Sequence, residues 1–162
     1  MEKKWQFTFE HIFLTLTSVG QIFLAIYYYG QSGNSQLRNL GWVCLWMSAI
    51  FGWLPIFAFK KYGRVSKGKS YVHTQTLVDQ GVYSIVRHPQ YLAGIFISAG
   101  LYLIAPYWGN LTLGVINTIQ YVYATYQEDQ NLIKKFGDDY LNYMKGVPRL
   151  NFVRGFIRKE FH

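Results

Sequence analysis

Long apolar runs separated by short polar blocks are the dominant pattern of this 162-residue chain. The runs cover about residues 11–29, 40–59, 90–107 and 111–126. A helix that crosses a bilayer needs about 20 mostly apolar residues, with a range of about 17 to 25, and the first two runs meet that length. The last two are slightly short, and only residues 106–110 separate them, so they predict a tight helical hairpin. The pattern therefore predicts an all-α fold, a polytopic membrane helical bundle with about four transmembrane helices.

Charged residues are confined to the blocks between these runs. No Asp or Glu occurs between His11 and Val78, and none occurs between Gln80 and Gln127. The 16 Lys and Arg exceed the 8 Asp and Glu, which gives a net charge of +8. Because the basic residues flank apolar runs and no nucleic-acid motif is present, the charge favours a membrane surface as the partner, and no nucleic acid.

The placement of Lys and Arg also predicts an orientation. Four spans put both termini on one side, together with the long loop over about residues 60–89. That side holds fifteen of the sixteen basic residues, and only Arg38 falls on the other side. By the positive-inside rule, both termini and the loop are expected in the cytoplasm. We expect a single, multi-pass membrane domain over residues 1–162, whose first apolar run is a retained helix rather than a cleaved signal peptide.

The region after the fourth run, about residues 127–162, has a different pattern. Apolar residues recur there at helical spacing, namely Leu132, Ile133, Phe136, Tyr140, Leu141 and Met144. The pattern predicts a cytoplasmic amphipathic helix that lies along the membrane surface or covers a pocket, with a bend at Gly137 and an end at Pro148. The tail beyond it mixes aromatic and basic residues, as an interfacial anchor does.

The stretch Arg87-His88-Pro89 directly precedes the third apolar run. Pro is favourable in the first turn of a helix, so these residues are expected at the N-terminal mouth of a membrane helix. Such a mouth has free N–H groups and the positive end of a dipole, and it attracts an anion such as a carboxylate or a phosphate. The alternative is an ordinary basic membrane flank.

Glu128 and Asp129 are the first acidic residues after a long stretch without any. Glu128 is either a solvated helix flank or a carboxylate turned into a pocket, where it can pair with an ammonium or orient a nucleophile. Four tyrosines lie near the start of the third apolar run and the end of the fourth, namely Tyr83, Tyr91, Tyr123 and Tyr126. They form either an interfacial belt or a surface for a cationic ligand.

Several kinds of site are disfavoured by the sequence. It contains no phosphate-binding glycine loop, no dinucleotide fingerprint and no H-E-x-x-H motif. The four histidines lack the spacing of metal ligands, so no metal site is expected. The single cysteine, Cys44, allows no disulfide within the chain.

Two separated motifs resemble the isoprenylcysteine carboxyl methyltransferase family and the related phospholipid methyltransferases. The first is T-L-V-x-x-G-V-Y-x-x-x-R-H-P-x-Y-x-x-G, which begins at Thr76, and the second is E-D-x-x-L-x-x-x-F-G-D-D-Y-x-x-Y, which begins at Glu128. Together they cover about residues 75–148. The resemblance implies an integral membrane methyltransferase that uses S-adenosylmethionine in a cytoplasm-facing pocket, with a lipid or a lipophilic small molecule as the methyl acceptor.

The resemblance also implies roles for individual residues. Glu128 would be catalytic and would contact the cofactor. The remaining cofactor-binding residues would be Gln75, Thr76, Leu77, Val78, Tyr83, His88, Pro89, Gln90 and Tyr91. This set agrees with elementary chemistry, because a helix N-terminus suits the carboxylate of the cofactor and a side-chain carboxylate suits its ammonium.

Two departures from the isoprenylcysteine enzymes bear on the acceptor. Those enzymes have an Arg four residues before the glutamate, whereas this chain has Ala124. The chain also has four predicted spans where that family has more. The acceptor is therefore an amine, a thiol or a carboxylate, the last held by another cation such as Arg149. Alternative classes are a membrane reductase-like protein that binds a nicotinamide cofactor, and a non-catalytic membrane protein.

Overall fold

A computed structural model of the protein describes residues 9–31, 33–63 and 76–160. This part of the chain is helical and contains no strand, which confirms the predicted all-α class. It comprises six α-helices, α1 (Phe9–Tyr27), α2 (Ser35–Tyr62), α3 (Pro89–Ile104), α4 (Trp108–Phe136), α5 (Asp138–Gly146) and α6 (Phe152–Glu160). A short 3₁₀ helix, Gly81–Ser84, precedes α3.

Helices α1 and α2 are long and apolar enough to cross a membrane, and α3 is a shorter apolar helix. Large apolar side chains on α1 and α2 remain exposed, including Ile26 at 73% and Trp46 at 70%. A water-soluble protein rarely leaves so many large apolar side chains exposed on one pair of helices, whereas lipid-facing helices do. The arrangement with four spans stays a prediction.

The C-terminal region differs from the sequence prediction in its helix boundaries. Helix α4 runs without interruption through the predicted fourth span, residues 111–126, and ends only at Phe136. Gly137 then adopts a φ of 58° and separates α4 from α5, so the single amphipathic helix expected here is two helices. A residue in this left-handed region cannot continue a right-handed helix, and Gly adopts it at little cost.

Helix α6 forms where the sequence predicted an interfacial tail without a defined element. Asn151 precedes it, and its side-chain oxygen accepts a hydrogen bond from the backbone N–H of Arg154 at 2.9 Å. An Asn at this position satisfies one of the unpaired N–H groups of the first helical turn.

The chain divides into two compact units. The first unit comprises Met1–Leu45 and Ile95–Gln120. At its centre Gln21, which is 1% exposed, donates from Nε2 to the carbonyl of Ser98 at 2.9 Å and accepts from Asn117 Nδ2 at 2.9 Å. These amide contacts join α1, α3 and α4 within the unit, as polar side chains do between membrane helices.

The second unit comprises Trp46–Gly94 and Tyr121–His162 and is called the site unit below. In it, α3 and α4 approach closely because Gly94 leaves no side chain against the ring of Tyr121. Three valines of the segment before α3 are buried, since Val78, Val82 and Val86 are 6%, 5% and 0% exposed.

Candidate active site

A cavity of about 150 Å³, partly open to solvent, lies within the site unit. Its wall is built by the end of α2, the segment before α3, the first turn of α3 and the last turns of α4. Small-molecule sites commonly occupy about 300 to 1,000 Å³, so the enclosed space would hold part of such a ligand, and the remainder would lie in the open mouth.

The segment before α3 is held in place by its aromatic residue. The ring of Tyr83 lies 5.1 Å from that of Phe59 on α2. The carbonyl of Tyr83 accepts a hydrogen bond from the hydroxyl of Tyr143 on α5 at 2.6 Å. Tyr83 therefore joins α2 and α5 at the edge of the cavity, and burial together with the nearby charge of Glu128 raises the pKa of its hydroxyl.

Pro89 is the first residue of α3, where its fixed φ fits the helix and its missing N–H is not required. The two residues before it pair with the segment after α5. The backbone N–H of Arg87 donates to the carbonyl of Pro148 at 3.0 Å, and that of His88 donates to the carbonyl of Arg149 at 3.2 Å. The mouth of α3 is thus fixed by two backbone hydrogen bonds that connect it to a distant part of the sequence.

A buried carboxylate, Asp129 on α4, lies behind this mouth and is 1% exposed. Its Oδ1 accepts from His88 Nε2 at 2.7 Å and from the hydroxyl of Tyr140 at 2.5 Å. Its Oδ2 accepts from Arg87 at 3.2 Å and from Nε and Nη2 of Arg149 at 3.0 and 2.8 Å. These five residues are called the Asp129 cluster, and they join four separate parts of the site unit through one side chain.

The hydrogen bonds of the cluster shift the protonation of its members. Burial alone would raise the pKa of Asp129, but the hydrogen bonds from His88 and Tyr140 and the charge of Arg87 lower it well below its usual range. Burial would lower the pKa of His88, but the contacts with Asp129 and Glu128 outweigh it and raise the value. The cluster therefore favours an ionised Asp129 and a protonated His88.

The side chain of Glu128 points in a different direction from that of Asp129. Consecutive helix residues are about 100° apart, so Asp129 points into the unit while Glu128 faces the cavity. Its side chain remains 42% exposed, and its Oε2 lies 3.5 Å from His88 Nδ1. His88 thus stands between the two carboxylates, and of the two acids Glu128 is the one that lines the cavity.

Comparison with known proteins shows the family of the chain. Residues 37–139 match the family model described as phospholipid methyltransferase. The chain belongs to the phospholipid methyltransferase family. Together with the apolar helices α1 and α2, this makes the chain an integral membrane protein.

Three relatives of this chain are each named protein-S-isoprenylcysteine O-methyltransferase. The protein of Rattus norvegicus is 31% identical over 138 residues, which cover 74% of this chain and 48% of that protein. The protein of Homo sapiens is 31% identical over 137 residues with the same coverage, and that of Xenopus laevis is 29% identical over 129 residues, 68% of this chain and 42% of that protein. These matches confirm the resemblance seen in the motifs. The chain spans about half the length of the curated relatives it matches.

The structure brings together most of the residues that the family motifs singled out. Those that line the cavity are Leu77, Val78, Tyr83, His88, Pro89, Gln90, Tyr91 and Glu128. Thr76 lines a neighbouring cavity, which shares Leu77 and Phe136 with the first. Gln75 lies outside the described residues. Within the described residues, no group of His, Cys, Asp and Glu is arranged to hold a metal ion.

The cavity wall includes residues beyond the cofactor-binding set that the resemblance implied. The cavity is also lined by Phe59, Arg87, Leu132, Lys135 and Phe136. The spacing of Leu132 and Phe136, four and eight residues after Glu128, could have indicated that they share its helix face. Tyr140 and Arg149 could not be assigned to Asp129 from the sequence, because their contacts depend on how α5 and the following segment return to α4.

Proposed function

We propose that this protein is a methyltransferase that binds S-adenosylmethionine in the cavity of the site unit and methylates a lipophilic acceptor from the membrane. One observation carries the proposal. In a chain of the phospholipid methyltransferase family, the half-exposed carboxylate of Glu128 and the His88-Pro89 mouth of α3 face the same partly open cavity. The names of the isoprenylcysteine relatives support methyl transfer to a group on a lipophilic molecule.

The residues of the cavity fit the chemistry of this cofactor. Its ammonium suits the carboxylate of Glu128, and its carboxylate suits the positive end of α3 and the ammonium of Lys135. Its sulfonium is a cation that aromatic faces attract, and Phe59, Tyr83 and Tyr91 supply such faces.

When bound, the cofactor supplies an electrophilic methyl group, whose bond to sulfur breaks as the bond to the acceptor forms. The protein contributes by positioning and by excluding water, which are large effects for a displacement in which the reacting atoms must be in line. His88 fixes the orientation of Glu128, and the Asp129 cluster fixes His88. If the acceptor is an amine, it must lose a proton, and Glu128 is placed to accept it.

The geometry favours an amine or a thiol acceptor over a carboxylate. Ala124 offers no charge where the isoprenylcysteine enzymes have an Arg. Arg149 does not line the cavity. Two of its nitrogens bind Asp129, and its guanidinium carbon lies 3.5 Å from the centre of the Tyr126 ring. A guanidinium engaged in this way is a poor partner for a second carboxylate, because binding one would break an existing pair.

We further propose that four spans cross the membrane, with both termini and the cavity in the cytoplasm. The distribution of Lys and Arg supports this orientation. Replacing Cys44 by Ala removes the single cysteine. A new cysteine introduced on one side of the membrane then reports, by its labelling, which side that is. A membrane-impermeant maleimide should label Gln31→Cys in intact cells and Asp138→Cys only after permeabilisation. Labelling of Asp138→Cys in intact cells would show that the orientation is the opposite of the one proposed.

Calorimetry on the purified protein in detergent tests the cofactor. We expect S-adenosylmethionine and its demethylated product to bind with micromolar affinity. Glu128→Gln should weaken binding at least about tenfold, the effect of removing a hydrogen bond to a charged group. Glu160→Gln is the matched control, because it also neutralises an exposed glutamate but lies outside the cavity. Binding of a reduced nicotinamide nucleotide instead would support the reductase alternative and refute the proposal.

A further inference from the structure

Helix α6 is bound to the segment that leads into the candidate site. Gly155 is buried, and a side chain there would overlap the carbonyl of Ile85. Arg158 donates to the carbonyl of Ser84 at 2.7 Å and also to that of Gly146. One face of α6 therefore contacts the backbone three and four residues before His88.

The opposite face of α6 is apolar and uncovered. Val153, Phe156 and Ile157 are 53%, 53% and 55% exposed, and their spacing places them on one side of the helix. At 100° per residue, Arg154 and Lys159 flank this side on its two edges, and both are exposed.

The charge of α6 is complementary to an anionic surface. Three basic residues stand against one acid, Glu160 at its last position, which leaves a net charge of +2. An apolar face bordered by cations is the pattern of helices that lie in the interface of a bilayer and contact anionic headgroups.

A contact within the site unit places α6 beside a membrane helix. The ring of Phe152 packs at 5.3 Å and 60° against Phe51 of α2, which is long and apolar enough to span a bilayer. On the same part of α2, Trp53 and Phe57 are 67% and 59% exposed, as expected for lipid-facing positions. The exposed face of α6 thus belongs to a helix that is attached to a lipid-facing one.

We propose that α6 is a binding surface for anionic phospholipid at the membrane interface, and that this contact holds the backbone before His88 in position. Val153, Phe156 and Ile157 enter the acyl boundary, while Arg154 and Lys159 contact phosphate headgroups. The effect on the cavity rests on the proposed function, whereas the lipid contact itself does not.

The first experiment detects the lipid contact in the full chain. With Cys44 replaced by Ala, Phe156→Cys is labelled with an environment-sensitive fluorophore, and phosphatidylglycerol is titrated into the detergent-solubilised protein. We expect blue-shifted emission that is quenched by spin-labelled lipid. The same label at Asp138→Cys, an exposed polar position at the start of α5, should stay in water. Equal, water-like emission at both positions throughout the titration would overturn the proposal.

The second experiment removes two positive charges from α6. Each basic residue near an anionic surface contributes about fivefold to its affinity, so Arg154→Gln with Lys159→Gln should weaken the apparent affinity for phosphatidylglycerol by about 30-fold. Phosphatidylcholine should produce no such charge-dependent response. Lys145→Gln on α5 is the matched control and should leave the titration unchanged. Unchanged affinity in the double variant would show that the headgroup contact is wrong.

The third experiment measures the effect on the cavity by calorimetry with S-adenosylmethionine. Wild type should bind more tightly in nanodiscs that contain phosphatidylglycerol than in phosphatidylcholine alone, and the double variant should lose this difference. Equal affinity in both lipids would refute the proposal that lipid-bound α6 holds the backbone before His88 in position. If no S-adenosylmethionine binds in any lipid, the proposed function fails, while the fluorescence titration still decides whether α6 contacts lipid.

Discussion

Replacing Asp129 by Asn should destabilise the protein more than any other single loss of charge in the described part of the site unit. The substitution conserves the shape of the side chain but removes the charge that faces Arg87, Arg149 and His88. The side chain of Arg87 is only 8% exposed, so its guanidinium would stay in a desolvated environment without its anion. Breaking a buried ion pair in this way costs about 3 to 5 kcal/mol.

Thermal unfolding in detergent, followed by intrinsic tryptophan fluorescence, measures this cost. For a chain of this size, about 1 kcal/mol corresponds to about 2 to 4 °C, so the melting temperature should fall by about 6 to 20 °C. Glu128→Gln is the matched control, because its side chain is 42% exposed and its contact with His88 is long at 3.5 Å. The control should change stability by less than about 1 kcal/mol. Equal melting temperatures for the two variants would refute the view that Asp129 holds the cluster together.

Two further predictions concern pH and packing. Because the folded state raises the pKa of His88, its stabilising effect is complete below the unfolded value of about 6.5 and is lost as pH rises through the folded value. The melting temperature of wild type should therefore fall as pH rises above about 6.5, and His88→Gln should lack that fall. Gly94→Ala would overlap the ring of Tyr121 and should cost about 1 to 3 kcal/mol in unfolding free energy. Gly52→Ala, whose added Cβ would meet its nearest neighbour at 3.9 Å, should be neutral or stabilising in the same unfolding assay.

The sequence predicted those parts of the structure that depend on local rules. Pro89 begins α3 because a helix accepts Pro at its first position, and this placed the helix mouth correctly. The two long apolar runs became α1 and α2 with ends displaced by a few residues.

The Asp129 cluster could not be predicted, because nothing local distinguishes Asp129 from Glu128. The two acids are adjacent, and which one is buried depends on the rotation of α4 against the α3 mouth and on the return of Tyr140 and Arg149. The sequence predicted a bend at Gly137, whereas the structure has a boundary between α4 and α5 at this residue. The apolar spacing continues across this residue, but its positive φ ends α4 there.

Transfer of a radiolabelled methyl group from S-adenosylmethionine tests the central claim most directly. Purified protein in nanodiscs would be offered an aminophospholipid, a lipophilic thiol and a prenylcysteine. The proposed function predicts labelled product with at least one acceptor, favouring the amine or the thiol, and loss of most of that label in Glu128→Gln but not in Glu160→Gln. Labelling that is unaffected by Glu128→Gln, or no labelling of any acceptor by protein that binds the cofactor, would contradict it.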